Sequence, residues 1–476
     1  MKHADFISPT ASRLSRRGLL QGASAGAAAS LLGSLMPASA HAEQRKRLHP
    51  AHAAHPTLGI VAPALSSMPL AWSNNEFRRR WEIVRKRMKE ANLDCLIVPQ
   101  HPHGSIVLDD YYTDADVSWL CGIPAVWVIV PLEGKITALA ENGHLVEQKR
   151  PLPGIVMTTL FADDAPDIEV RYSRGEGKGS WSTTIVDVLR EKKMERARIG
   201  VGSLAGVFRN TEGSVPYTTY DHILKALPQA QFQNAVDLLW QVKWVNSAEE
   251  IEVFEKVASV SETGLLAMLE TARPGISNRE VWLSMFGAML ECSGSRPQHL
   301  GICTQGIAGP NLGTPLPDII QAGQILGQEC SGCVLGFGTQ VNHSVLIGSK
   351  GPADWPAAAQ YCIDVFHALL DQIVPGKSMK EVGDYYGQKF EKQSGRAMVG
   401  GVNFHFDGYG DLPRTGPRGG QGTADAVYQA GMVLDLKPSI VIKGTPMLAQ
   451  FGDSVLVTEK GARRLGKRRL EIINLA

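Results

Sequence analysis

At 476 residues the chain is too long for one compact core, so two domains are expected. It carries 48 Lys plus Arg against 47 Asp plus Glu, a formal net charge of +1, with 44% apolar and 20% charged residues. That balance excludes a basic nucleic-acid surface and a strongly acidic tail, and leaves an ordinary globular protein.

The N-terminus reads as a targeting segment. Ser15-Arg16-Arg17-Gly18-Leu19-Leu20 precedes an uncharged Ala/Gly/Ser-rich run that ends near Ala40-His41-Ala42. These features resemble a twin-arginine export signal with a small-residue cleavage site, which predicts removal of residues 1–42 and a periplasmic or secreted mature chain. The run from Gly18 to Met36 is long enough to span a bilayer but only weakly apolar, so no stable membrane anchor is expected. Residues 43–70, rich in Pro, Ala and His, read as a flexible leader.

Helix and strand then alternate. FRRRWEIVRKRMKEAN is an amphipathic helix, LDCLIVP an apolar strand, and AVWVIVPLEGKITALAE a strand, turn and strand, followed by the strand ARIGVGS and the helix YDHILKAL. Together they predict an α/β domain over 71–242. His101 and His103 lie in the loop after its first strand, at a site edge or in solvent.

A second domain, 243–476, opens with a long helix for which Ser247 and Glu250 form a capping box. It contains an internal repeat: PGISNREV and PGKSMKEV each join a Pro-Gly turn to a Ser N-cap, a Glu three residues on and an amphipathic helix. The offset is the same at both ends, 376 − 275 = 101 for the turn glycines and 394 − 293 = 101 for the serines near the helix ends. One duplicated unit is too short for a solenoid and implies a pseudo-twofold α+β domain.

Seven cysteines are too sparse for a disulfide scaffold, and their odd number leaves one unpaired within a chain. Cys330 and Cys333 form a C-x-x-C, yet VLGFGTQVNHSVLIG follows as a strand, whereas a redox pair needs a helix N-terminus to lower its thiol pKa.

This domain order, the junction VKWVNSAEEIEVF, QAGQILGQECSGCVLGFGTQVNHSVLIG, AGMVLDLKPSIVI and FGDSVLVTEKG together resemble the pita-bread family of creatinase, aminopeptidase P, prolidase and methionine aminopeptidase over about residues 75–476. The resemblance implies a creatinase/prolidase-like N-terminal α/β domain, a pita-bread C-terminal domain and a homodimer. The family's metallopeptidases hold two metal ions with two Asp, one His and two Glu. Carried over, those positions fall on Glu329, Gln340, His405, Lys437 and Gly452, so only His405 keeps its residue type and only Glu329 remains a carboxylate.

Two divalent ions bring four positive charges to four carboxylates. Here the four carboxylate positions read Glu, Gln, Lys and Gly, which sum to zero, so the pocket is charge-balanced with no metal and no other cofactor. On this reading His405 or Glu329 handles protons, Lys437 stabilises developing negative charge or pairs with Glu329, and Gln340 orients a substrate carbonyl or amide. His299, Asp407, Tyr409, Asp435 and Arg414 are candidate substrate contacts. Arg414 and Arg418 sit in the loop GDLPRTGPRGGQG, while His343 falls on the opposite strand face from Gln340 and Asn342. Creatinase works without metal through a histidine whose position here falls near Leu312, so that base is missing. The expectation is a metal-free hydrolase or lyase of a small polar substrate at a C–N or C–O bond. A peptide or small-molecule binder without turnover, and a metal-dependent Xaa-Pro aminopeptidase, are the alternatives.

Overall fold

The computed structural model describes residues 54–55, 59–69, 71–99, 115–122, 127–140, 167–172, 181–205, 213, 215–304, 318–391, 398–406, 414–415, 426–442 and 448–475. Residues 1–42, where an export signal is expected, most of 43–70, and His101 and His103 lie outside them. Among the described residues no helix is long and apolar enough to cross a membrane.

In the first domain α1 (Asn74–Glu90) leads into β1 (Cys95–Pro99), α2 (Ala115–Cys121), β2 (Trp127–Pro131), β3 (Ile136–Ala140) and β4 (Ile168–Tyr172). Then come α3 (Trp181–Glu191), β5 (Arg198–Val201), α4 (Tyr217–Ala226), β6 (Gln231–Asn234) and α5 (Val236–Gln241). The strands form one mixed sheet in the order β4-β3-β2-β1-β5-β6. All five residues of β1, β2 and β3 are buried, as expected for strands covered on both faces.

The second domain begins with α6 (Ala248–Thr271) and α7 (Asn278–Ser293), followed by β7 (His299–Thr304), β8 (Ile325–Val334), β9 (Phe337–His343) and β10 (Val345–Ile347). Its later elements are α8 (Trp355–Leu370), α9 (Met379–Tyr386), β11 (Met398–Phe406), β12 (Arg414–Thr415), β13 (Val433–Ile442), β14 (Leu448–Thr458), β15 (Gly461–Arg464) and β16 (Ile473–Leu475). The sheet runs β12-β11-β13-β14-β9-β8-β10-β16, with β7 also on β8 and β15 also on β14. Helix α6 covers β8 and β9, and α8 covers β13 and β14, so one face is filled by helices.

The duplication is present in the backbone. Gly275 and Gly376 have φ of +89° and +88°, a region open to glycine, and each precedes a complete capping box, Ser277 with Glu280 and Ser378 with Glu381. Each cap serine makes an isolated bridge to a returning segment, Ser277 to Ile319 and Ser378 to Val427. From there the offset becomes 427 − 319 = 108, and it holds across whole strands, since 433 − 325 = 108 and 442 − 334 = 108 for the ends of β13 and β8. The second copy departs from the expected helix: α9 ends at Tyr386 and continues as a π turn over Gly387–Glu391, where a glycine weakens the α register.

Glu250 joins the domains. Its carboxylate closes the capping box of α6 and also accepts from Arg79 Nη2 at 2.7 Å, Arg80 Nε at 3.1 Å and Trp119 Nε1 at 3.0 Å.

Candidate functional site

Strand alternation decides which side chains reach the site. On β8 and β9, Glu329 and Ser331 stand opposite Asn342 and Gln340; on β13 and β14, Lys437 and Asp435 share one face, as do Gln450 and Gly452. Glu329 and Lys437 are equivalent positions of the two halves, because 437 − 329 = 108, the offset that relates their strands.

These positions meet. The Lys437 ammonium donates to Glu329 Oε1 at 2.9 Å and to Gln340 Oε1 at 2.7 Å, and lies 3.8 Å from Asp435 Oδ2. Glu329 Oε1 also accepts from Gln450 Nε2 at 3.1 Å, while His299 Nε2 stands 3.4 Å from Glu329 Oε2. All of these side chains are buried, with Glu329, Lys437 and Gln450 keeping 5–8% exposure against 0% for His299 and Asp435. The slightly exposed three therefore form the outer side of a polar floor, with His299 and Asp435 on its fully buried inner side.

Burial pushes the Glu329 carboxyl upward, but Lys437 and His299 beside it reverse this and hold it well below the usual carboxylate range. A carboxylate this strongly stabilised is a poor proton acceptor. Of the two roles considered for Glu329, the geometry matches the counter-ion of Lys437.

The residues present do not fit a pair of divalent ions. An ammonium stands where a cation would have to sit between Glu329 and Gln340. At Gly452 an added Cβ would lie 2.8 Å from Asn342 Oδ1 and 3.1 Å from the Lys437 Cα and Cβ, so a ligating side chain there would have to displace its neighbours. Among the described residues no group of three or more His, Cys, Asp or Glu side chains is arranged to hold a metal.

The other candidates divide. Asp435 and His299 join the floor, as above. His405 is described by backbone register alone, opposite Asp435 on one side and Arg414 on the other. Asp407, Tyr409 and Arg418 lie outside the described residues, and so does Leu312. His343 faces away: its Nε2 meets the Glu471 carbonyl at 3.0 Å and its ring packs edge-on to Phe451. Burial, then repulsion from Arg468, keeps that imidazole well below its ordinary pKa, a core histidine. Cys330 and Cys333 lie on β8 with unbonded thiols, both raised by burial, Cys333 to about 11, which removes the thiolate a redox pair needs.

Two contributors were missed. Gln450 could have been found from the sequence, because it lies two residues before Gly452 on the same strand face. Arg468 gave no local signal within its run of basic residues. It pairs with Asp453 at 2.7 Å and donates to the carbonyls of Gly452 at 2.6 Å and Asn342 at 3.1 Å, bracing the floor from behind.

An α/β domain joined to a pseudo-twofold α+β domain, with a polar floor at the centre of the second, is the architecture of the pita-bread proteins. Residues 80–244 match the Creatinase/Prolidase N-terminal domain and residues 252–459 match Metallopeptidase family M24. The Xaa-Pro dipeptidase of Pyrococcus horikoshii is 22% identical over 364 residues, covering 72% of this chain and 95% of the relative. Among solved structures, a Xaa-Pro dipeptidase from Bacillus anthracis superposes with a TM-score of 0.66 at 15% identity, covering 84% of this chain and 100% of that one. The prolidase from Pyrococcus horikoshii gives 0.63 at 16% identity over 83% and 100%. The chain belongs to the pita-bread family, as a creatinase-type N-terminal domain followed by an M24 domain.

Proposed function

We propose that this chain is an exported pita-bread hydrolase or lyase that acts without divalent metals on a short peptide or a small polar substrate, at a C–N or C–O bond. The observation that carries the reading is the Lys437 ammonium, hydrogen-bonded to Glu329 and Gln340 at 2.9 and 2.7 Å. Lys437 is the positive centre toward which a substrate carbonyl would be polarised and where developing negative charge would be stabilised. Glu329 orients Lys437 and His299. Its depressed pKa moves proton transfer to the imidazoles, His299 or His405. The homodimer is part of the same proposal.

A second reading has its own support: Glu329, Lys437, Gln340 and Gln450 satisfy one another, which suits a pocket that binds a peptide or small polar ligand without turnover. The names of the relatives favour a third, hydrolysis of Xaa-Pro dipeptides, with metal as the family model's description implies.

The test is hydrolysis of a panel of Xaa-Pro dipeptides and small amides by the mature protein, with chelator and with added manganese, zinc or cobalt. Turnover that persists in chelator and falls at least tenfold in Lys437→Met supports the proposal. Turnover only with added metal, or tightly held metal at one or more ions per chain, overturns it in favour of a metallopeptidase. Binding with no turnover on any substrate leaves the binder.

A further inference from the structure

The face of the sheet behind the floor carries a second polar cluster, which the proposed chemistry does not use. By strand alternation Gln328 faces the opposite side from Glu329, together with Cys330 and Gly332. That side meets α6: a Cβ on Gly332 would stand 3.0 Å from Val260, and one on Gly264 would stand 3.0 Å from Cys330 Sγ. The ladder that pairs Glu329 with Asn342 and Leu326 with Val345 keeps one register, which sets Gln328 directly opposite His343. Cβ atoms of such a pair are about 5 Å apart, within reach of a glutamine and an imidazole or of one small molecule between them. The Arg468 charge acts on both His343 and Cys330, the neighbours of Gln328 across and along the ladder.

Gln328, His343 and Arg468 are all buried, and each has polar atoms unmatched. Among the described residues neither amide atom of Gln328, nor His343 Nδ1, nor Arg468 Nε has a hydrogen-bond partner. Their donor and acceptor roles are fixed. His343 Nε2 meets the Glu471 carbonyl at 3.0 Å, and a carbonyl only accepts, so Nε2 carries the proton. In the neutral ring that burial favours, Nδ1 then offers a lone pair. Arg468 Nε donates from the same edge of the guanidinium as Nη2, which reaches the carbonyl of Asn342, the residue before His343. The Gln328 amide adds a donor and an acceptor. A cation would meet the two N–H groups and an anion the two lone pairs, so the cluster selects a small neutral ligand that both donates and accepts.

We propose that Gln328, His343 and Arg468 hold one internal water molecule, which accepts from Arg468 Nε and Gln328 Nε2 and donates to His343 Nδ1 and Gln328 Oε1. Buried waters typically make about three bonds of this kind to groups that are otherwise unmatched. The site stands on the opposite face of β8 and β9 from Glu329 and Gln340, so it does not depend on whether the floor works with or without metal. Its water ties Arg468, which braces the carbonyls of Asn342 and Gly452, to the two strands that carry Glu329 and Gln340.

The experiment joins a high-resolution crystal structure of the mature native protein to a double-mutant cycle over Gln328→Leu and His343→Phe, read by thermal melting. The structure should show a water within about 3.2 Å of Arg468 Nε, His343 Nδ1 and the Gln328 amide. Each single variant should melt about 4 °C lower, because it leaves the water or its remaining partners short of a bond. The double variant should melt no more than about 2 °C below the worse single one, since the water they share can be lost only once. Gln328→Met takes the place of Gln328→Leu if the branched side chain does not fold, and the native structure decides alone if no variant folds. A direct hydrogen bond from Gln328 Nε2 to His343 Nδ1, an ion at the position, or losses that add to about 8 °C in the double variant overturn the shared water.

Discussion

The two halves of the second domain share a backbone and differ where the chemistry is. The turn glycines, capping boxes, returning bridges and ten-residue strands β8 and β13 recur in register, yet position 329 holds a carboxylate and its equivalent, 437, an ammonium. Gly327 likewise corresponds to Asp435. A duplicated scaffold thus fixes where side chains stand and leaves their charge free to diverge, provided that the pair remains balanced after burial.

That comparison can be broken first at its centre. Glu329→Gln removes the counter-ion of a buried ammonium and should cost about 3 kcal/mol or more by denaturant unfolding. The pH dependence follows from the same group. The folded-state pKa of Glu329 is depressed, so its contribution is full above the ordinary carboxylate value of 4.5 and is lost as pH falls through the lower folded value. The stability of the variant should therefore decline less steeply below pH 4.5 than that of the native protein.

A smaller effect probes the turns that launch the two strands. Gly323 and Gly431 are equivalent, with φ of +86° and +93°. An added Cβ lies 3.1 Å from the Lys350 carbonyl in the first and 3.0 Å from the Asn246 carbonyl in the second, where the Val245 Cγ1 also stands at 3.1 Å. Alanine at either site should cost about 1–2 kcal/mol from the left-handed backbone, and more at 431, where two neighbours crowd the methyl. Equal losses would mean that the backbone alone sets the cost.

The smallest effect is at the caps. Ser277→Ala and Ser378→Ala should each cost about 1 kcal/mol. The loss should be greater at 277, because α7 runs unbroken to Ser293 whereas α9 gives way to a π turn after Tyr386.

Much of this architecture was legible in the chain because it is encoded locally. Ser277 and Glu280, or Ser378 and Glu381, are three residues apart and cap their helices whatever the rest does. The alternation in β8 and β9 separates Gln340 from His343 with no tertiary information. The pairing of Glu329 with Lys437 was foreseeable once the family resemblance placed both positions in one pocket, from the charge balance of that pocket. The role of Glu329 was not, since its pKa is lowered by Lys437, 108 residues later, and by His299, 30 residues earlier, and no local pattern reports contacts of that range. Arg468 was hidden for the same reason: inside KRRLE it looks like any solvated basic residue, and only the fold turns it inward onto Asp453.

Glu250 has a consequence for how the chain comes together. One carboxylate starts α6 and receives Arg79, Arg80 and Trp119 from the first domain, so helix nucleation in one domain and docking of the other draw on the same group. Neither domain can shed its partner without leaving the buried Glu250 carboxylate short of its counter-charges, while Arg80 would keep only Glu76, 2.8 Å away on its own helix. Heating should therefore release both domains in a single calorimetric transition, so that a chain divided in sequence into two units behaves thermodynamically as one.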